Sequence, residues 1–248
     1  MRTVAFAGWK LQYDLSNRGD FMQFQDVVRT GSYELATTRL LTDIIRPGDV
    51  FVDVGANIGY YSALALSRVG ATGKVIAIEP NPDAYVRLQR NMVLNGAGSR
   101  LRMIQSALSD HHGRVKLRLF GDDDGLSSVV ASTERNIPIS STRSIDVEAS
   151  TFDSLFPAER VNVVKIDVEG AELAVLRGMR DTLLRNPSLN LVIEWNQWYR
   201  NLAFWEYLQG HFLTRRIIDV ADGYKLVPLP EYGDTKYLPL SNLLCSPI

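Results

Sequence analysis

The sequence predicts a doubly wound α/β domain, a mostly parallel sheet with helices on both faces, and three observations carry that expectation. Val50-Phe51-Val52-Asp53-Val54 is an apolar run broken by one acid, and Gly55-Ala56-Asn57-Ile58-Gly59 follows at a G-x-x-x-G spacing before a helix-compatible stretch. Lys74-Val75-Ile76-Ala77-Ile78 is a second buried-strand pattern, ended by Glu79, with room for one helix between the two. Strand and helix patterns then alternate as far as Leu191-Val192-Ile193-Glu194, the order that a parallel sheet with crossover helices requires.

Residues 1 to about 32 show no regular pattern, with Gly8, Gly19 and Gly31 among polar and aromatic residues; they read as a cap too short to bury its own core. Tyr33 to Ile45 carries a helical apolar face closed by Pro47-Gly48, so the expected division is a cap and lead-in helix over 1–45 and a main domain over 46–248. Helices are expected over Tyr60–Val69, stopped at Gly70, and Asp83–Leu94, stopped at Asn95-Gly96, with a third strand at Leu101–Ile104. Residues 109–160 break the rhythm as a β-rich insertion, with an alternating strand at Val115–Leu119 and a polar turn at Gly121–Gly125. A fourth strand is expected at Val161–Ile166, one helix over Ala171–Arg185, and in the tail a helix near 201–210, a hairpin and a last strand around Leu243-Leu244.

A strand ending in a glycine turn against a helix N-terminus is where such sheets bind nucleotide-like ligands. Glycine serves there because a Cβ would obstruct both the turn and close approach of the backbone to a ligand. The spacing discriminates among ligands. Gly55-Ala56-Asn57 lacks the second glycine of a dinucleotide fingerprint, and with no lysine the loop is no phosphate-cradling P-loop. An acid just before the glycines suits a ligand with a cationic amino-acid end, which points to S-adenosylmethionine. Glu79, at the end of the second strand, suits a ribose diol, because a carboxylate accepts two hydrogen bonds.

The formal net charge of −1 over 248 residues offers no basic field to nucleic acid or to an anionic membrane. The single cysteine, Cys245, excludes a disulfide within the chain and a cysteine-cluster metal site. No apolar run reaches the length of a membrane span and Met1–Lys10 lacks a signal-peptide core, so a cytoplasmic protein with no membrane or nucleic-acid partner is expected. A homodimer is compatible with this reading.

A second dense cluster, Lys165-Ile166-Asp167-Val168-Glu169-Gly170-Ala171-Glu172, puts Asp167 at the carboxyl end of the fourth strand. With Asp53-Val54-Gly55-Ala56-Asn57-Ile58-Gly59 and Glu79-Pro80-Asn81, it resembles the FkbM family of S-adenosylmethionine-dependent methyltransferases. The resemblance runs from about Gly31-Ser32-Tyr33-Glu34 through Glu194, with a looser echo at Asn242-Leu243-Leu244. It implies a class I methyltransferase fold, Rossmann-like, and methyl transfer from S-adenosylmethionine to a hydroxyl of a small molecule, a secondary metabolite or sugar. It further implies that Asp53, Gly55, Asn57 and Gly59 surround the methionine portion and that Glu79 holds the ribose, with Asn81 nearby. Ser106 and Ala107 would edge the adenine, and Tyr33 and Glu34 would close over the cofactor.

Asp167 and Glu169 admit two readings. Asp167 could cap the following helix, with Glu169 and Glu172 in its first turn at the positive dipole end. Alternatively, Asp167 lies by the transferable methyl, and Asp167 or Glu169 takes the proton of an attacking hydroxyl, a poor nucleophile without a base. His111 and His112 read as a turn, and Asp122, Asp123 and Asp124 lack EF-hand spacing. Lys165 is either an interior partner for a site acid or a strand start in solvent. Glu194, Trp195 and Trp198 either line a substrate pocket or form a packing cluster. Two other functions compete with plain O-methylation. One is a magnesium-dependent enzyme in which Asp167 and Glu194 hold the metal against a diol. The other is a catalytically silent cofactor-binding scaffold. A nicotinamide oxidoreductase fails on glycine spacing, and no Asn-Pro-Pro-aromatic clamp for a flipped base is present.

Overall fold

The computed structural model describes residues 1–120, 123–128, 142–195, 202–220, 223–229 and 241–247. The chain opens with a hairpin, β1 (Arg2–Phe6) and β2 (Trp9–Tyr13), and continues into helix α1 (Arg18–Thr30), whose N-terminus is capped by the Asn17 side chain. The N-terminal segment is therefore regular where no pattern was expected. Its strands are five residues each, and exposed Met22 and Val28 blur the apolar face of α1. With helix α2 (Leu35–Ile44), these elements bury Trp9, Leu11, Tyr13, Val27, Leu40 and Leu41 in one core with the sheet.

Strand β3 (Val50–Val54), helix α3 (Tyr60–Arg68), strand β4 (Lys74–Ile78), helix α4 (Pro82–Leu94) and strand β5 (Leu101–Ile104) follow as their patterns predict. The insertion forms a second sheet from β6 (Ala107–Leu108), β7 (Gly113–Phe120), β8 (Asp123–Ser128) and β9 (Thr142–Ser150), in the order β6-β9-β7-β8. The polar turn expected over 121–125 is corrected in part: Asp123–Gly125 lie in β8, and 121–122 fall outside the described residues.

A short helix α5 (Phe152–Leu155) leads to β10 (Val163–Ile166), and then the single helix expected over Ala171–Arg185 is broken into α6 (Glu172–Arg177) and α7 (Arg180–Arg185). Two contacts account for the break. A Cβ on Gly178 would stand 2.1 Å from the carbonyl oxygen of Ser109, so the chain passes that loop only with glycine. The Asp153 carboxylate accepts from the N–H groups of Asp181 and Thr182 (2.8 and 2.7 Å), which satisfies donors at the new helix start. Strand β11 (Asn190–Trp195), helix α8 (Leu202–His211) and strands β12 (Phe212–Val220), β13 (Gly223–Pro228) and β14 (Ser241–Pro247) complete the chain. Among the described residues no helix is long and apolar enough to cross a membrane.

The main sheet has the order β13-β12-β14-β11-β10-β3-β4-β5. Its five strands from β11 to β5 are parallel, while β14 runs antiparallel between β11 and β12. Strand alternation decides the layering. Phe51, Val75, Val163 and Val192 face the core shared with α2 and α3, whereas Val52, Ile76, Val164 and Ile193 face a second core with Phe152, Leu176 and Trp205.

A matched pair of glycine substitutions tests the helix break. Gly178→Ala should lower stability by about 1–3 kcal/mol through overpacking. Gly210→Ala should raise it by about 0.5–1 kcal/mol, because Gly210 lies inside α8 with nothing near its missing Cβ. Urea titration of both variants reads the two signs, and a neutral Gly178→Ala would remove this account.

Candidate active site

The connections of the parallel sheet diverge at β3, with β4 on one side and β10 on the other, and a crevice lies outside the carboxyl ends of strands at such a point. Alternation equips its wall. Asp53 follows Phe51, Lys165 follows Val163 and Glu194 follows Val192, so all three emerge on the α2–α3 face at the strand ends. Asp53 and Lys165 are register partners, as are Glu194 and Asn242 across the antiparallel β11–β14 pair.

Lys165 is the interior reading of the two the sequence allowed. Its ammonium lies 2.6 Å from Asp167 Oδ2 and 4.6 Å from the centre of the Tyr61 ring, with the side chain 2% exposed. Burial opposes its charge, but Asp167, Glu34 and Asp53 outweigh burial and hold the amine charged. Asp53 is buried, takes one hydrogen bond at Oδ2 from the Ser62 hydroxyl (2.6 Å), and has no partner at Oδ1. Burial raises its pKa, and Lys165 and Ser62 work against that rise.

Glu79 ties the turn after β3 to the turn after β4. Its Oε2 accepts from the N–H of Asn57 and its Oε1 from the N–H of Asn81, both at 2.8 Å. Burial nevertheless lifts its pKa to about 7. Asn81 is buried and caps α4, accepting from the N–H of Asp83. Asn57 takes φ 48° and leaves its own Oδ1 buried without a partner.

Both glycines of the turn also serve protein packing. A Cβ on Gly55 would meet the carbonyl oxygen of Asp167 at 1.8 Å, and one on Gly59 would meet Leu88 and Met92 of α4 at 2.6 and 2.7 Å. Gly55 thus lets the β3 and β10 turns touch, and Gly59 lets α3 approach α4. Ser106 donates within the fold, its hydroxyl lying 2.9 and 3.1 Å from the carbonyls of Ala107 and Glu148. The Ala107 side chain belongs to the small core of the insertion with Leu117, Leu119 and Val147, so it offers a crevice only backbone.

Tyr33 and Glu34 come to the acids from the other side. Glu34 takes φ 42° at the start of α2, and its Oε2 accepts from the Tyr61 hydroxyl (2.6 Å) and the Asn242 amide (3.0 Å). Burial raises its pKa, Lys165 opposes, and Asp167 adds to the rise. The N–H of Tyr33 donates to the Tyr60 hydroxyl at 2.9 Å. Beyond them, Asp167, Glu169 and Glu194 bring one carboxylate oxygen each to within 4.8 Å of one another. Glu194 has no partner at Oε2, and burial first, then Asp167 and Glu169, push its pKa well above the usual carboxylate range. Asp167 is not a helix cap, because α6 begins at Glu172 and the N–H groups of Val168 and Gly170 donate to the Glu172 carboxylate.

The remaining candidates separate from the crevice. Trp195 follows Glu194 and so points to the opposite face, where it packs on Phe204 and Trp205. Trp198 lies outside the described residues. His111 and His112 sit in an exposed turn, with His111 2.7 Å from Asp110. Sequence reasoning gave no site role to Ser62, Tyr61 or Asn242. Only Asn242 left a signal, a polar residue opening an apolar terminal strand.

Known proteins share sequence and fold with this chain. The hexuronic acid methyltransferase AglP of Haloferax volcanii is 32% identical over 158 residues, covering 62% of this chain and 59% of that protein. The 2-O-methyltransferase NoeI of Sinorhizobium fredii is 25% identical over 218 residues, covering 83% and 84%. The chain spans about three fifths of the length of several curated relatives it matches. Among solved structures, methyltransferase FkbM of Methylobacillus flagellatus KT superposes with a TM-score of 0.50 at 16% identity, over 95% of this chain and 56% of that one, which speaks to the fold. The model of the methyltransferase FkbM domain matches residues 53–219, and with the strand-end acids in that span the chain belongs to the FkbM methyltransferase family.

Proposed function

We propose that this chain is an S-adenosylmethionine-dependent O-methyltransferase that acts on a hydroxyl of a small molecule, a sugar or a secondary metabolite. The observation that carries the reading is the pair of buried acceptors without donors at the glycine turn, Asp53 Oδ1 and Asn57 Oδ1. Buried acceptors of this kind call for a ligand that brings hydrogen-bond donors and positive charge. The amino-acid end of S-adenosylmethionine brings an ammonium, and a pyrophosphate would bring the wrong sign. Glu79 fits the ribose, since two backbone N–H groups fix its orientation and each oxygen keeps lone pairs for a hydroxyl.

When bound, S-adenosylmethionine supplies a methyl on a sulfonium, a good leaving group. The protein then has to orient the acceptor oxygen and take up its proton. Asp167, Glu169 and Glu194 stand together for that work. The names of AglP and NoeI, a hexuronic acid methyltransferase and a 2-O-methyltransferase, support a hydroxylated acceptor.

Calorimetric titration with S-adenosylhomocysteine tests the cofactor site. Wild type should bind and Asp53→Ala should bind about tenfold or more weakly, the worth of a hydrogen bond to a charged group. A folded wild type that does not bind, or an unchanged Asp53→Ala, would remove the reading. The pH dependence has a definite sign. Ribose hydroxyls donate to the ionised form of Glu79, so ligand binding draws its pKa down from about 7 and releases a proton near neutrality. Affinity should therefore rise from pH 6 to pH 8. Titrations in buffers of different ionisation heat should show proton release by wild type and its loss in Glu79→Gln.

A further inference from the structure

Asp167, Glu169 and Glu194 bring their carboxylates together at one end of the crevice. One oxygen from each lies within 4.8 Å of the others, a span that a single ion can bridge. Oxygens on an octahedral magnesium ion stand about 4.2 Å apart when opposite and about 3.0 Å apart when adjacent, so the three carboxylates would draw together around an ion. Two further observations point to a ligand there. Glu194 is 6% exposed, yet its Oε2 has no hydrogen-bond partner. Asn242, also 6% exposed and directly across from Glu194 on the same face, donates its amide N–H to Glu34 and leaves Oδ1 without a partner. A buried oxygen with no donor is costly unless something positive meets it.

Lys165 does not fill this role. Its ammonium is engaged by Asp167 Oδ2, and it packs on Tyr61.

We propose that Asp167, Glu169 and Glu194 form a divalent-cation site, taking magnesium or manganese, with Asn242 Oδ1 as a neighbouring oxygen donor. All the donors are hard oxygens, the set that suits these ions rather than zinc or copper. Three carboxylates against a divalent ion and the Lys165 ammonium balance in charge and leave coordination positions for water or for acceptor hydroxyls. An acceptor hydroxyl on the ion gives up its proton to solvent more readily, and its oxygen then bonds to the methyl carbon as the carbon–sulfur bond breaks. The products are the methyl ether and the neutral thioether. That catalytic role rests on the methyltransferase reading above, while occupancy of the site can be measured without it.

The experiment is titration of chelator-treated protein with manganese, followed by loss of the free-ion electron paramagnetic resonance signal, with and without S-adenosylhomocysteine. One site is expected in wild type and in a Glu159→Gln surface control. Binding should weaken about tenfold or more in Glu194→Gln and Glu169→Gln. Glu194→Gln keeps the size and shape of the side chain, so it should fold as wild type does, and the rise in melting temperature that manganese gives wild type should vanish. Absence of one-site binding, or binding unchanged in Glu194→Gln, overturns the proposal. If S-adenosylhomocysteine binds normally in that case, the cation site alone has failed. If manganese binds and S-adenosylhomocysteine does not, the cofactor reading has failed and the cation site stands.

Discussion

The buried ammonium of Lys165 is the interaction on which the crevice depends. It joins β10 to Asp53 of β3 through strand register, to Asp167 by an ion pair, and to α3 through the face of Tyr61. A lysine in a sheet core is unfavourable unless paired, and leaving buried partners uncompensated costs about 3–5 kcal/mol. Here the pairing is shared among Asp53, Glu34 and Asp167, three acids from three parts of the chain. The charge that organises the crevice is therefore also the charge that makes burying those acids tolerable.

The compensation is incomplete by design of the sheet. Alternation brings Asp53 and Glu194 to the same face as Lys165, and the turns add Glu34, Asp167 and Glu169. Among the described residues, the crevice is left with buried oxygens that have no donors, on Asp53, Asn57, Glu194 and Asn242. Such a site discriminates by sign. Oxygens of that kind disfavour a phosphate and favour a cationic ligand, the property on which the proposed cofactor and cation sites both draw.

Much of this was legible in the sequence, and the limits have physical causes. Strands β3, β4 and β10 stand out because strands buried on both faces are near-continuous apolar runs, and the acids that close them mark the crevice. The break at Gly178 did not stand out, because it is imposed by the carbonyl of Ser109, distant in sequence. The packing roles of Gly55 and Gly59 were not legible for a related reason: what a side chain would strike there is protein from another segment. Lys165 was ambiguous because its burial depends on partners in β3, α2 and the following turn. Asn242 belongs to the crevice only through the antiparallel insertion of β14 beside β11, a topology that local pattern does not encode.

Backbone strain marks the same place. The non-glycine residues with positive φ among those described are Glu34, Asn57 and Glu169, all at the crevice. A left-handed backbone is unfavourable for such residues, so the surroundings must over-determine each one. Glu79 holds the N–H of Asn57, and Tyr61 and Asn242 hold the carboxylate of Glu34. Gly170, next to Glu169, donates its N–H to Glu172. Each clamp is a buried or half-buried polar group whose own position is fixed by the sheet, by α3 or by α6. The rigid apolar core thus does more than stabilise the fold: it holds three residues at the crevice in a backbone conformation that Glu34 and Glu169 would not adopt by local preference.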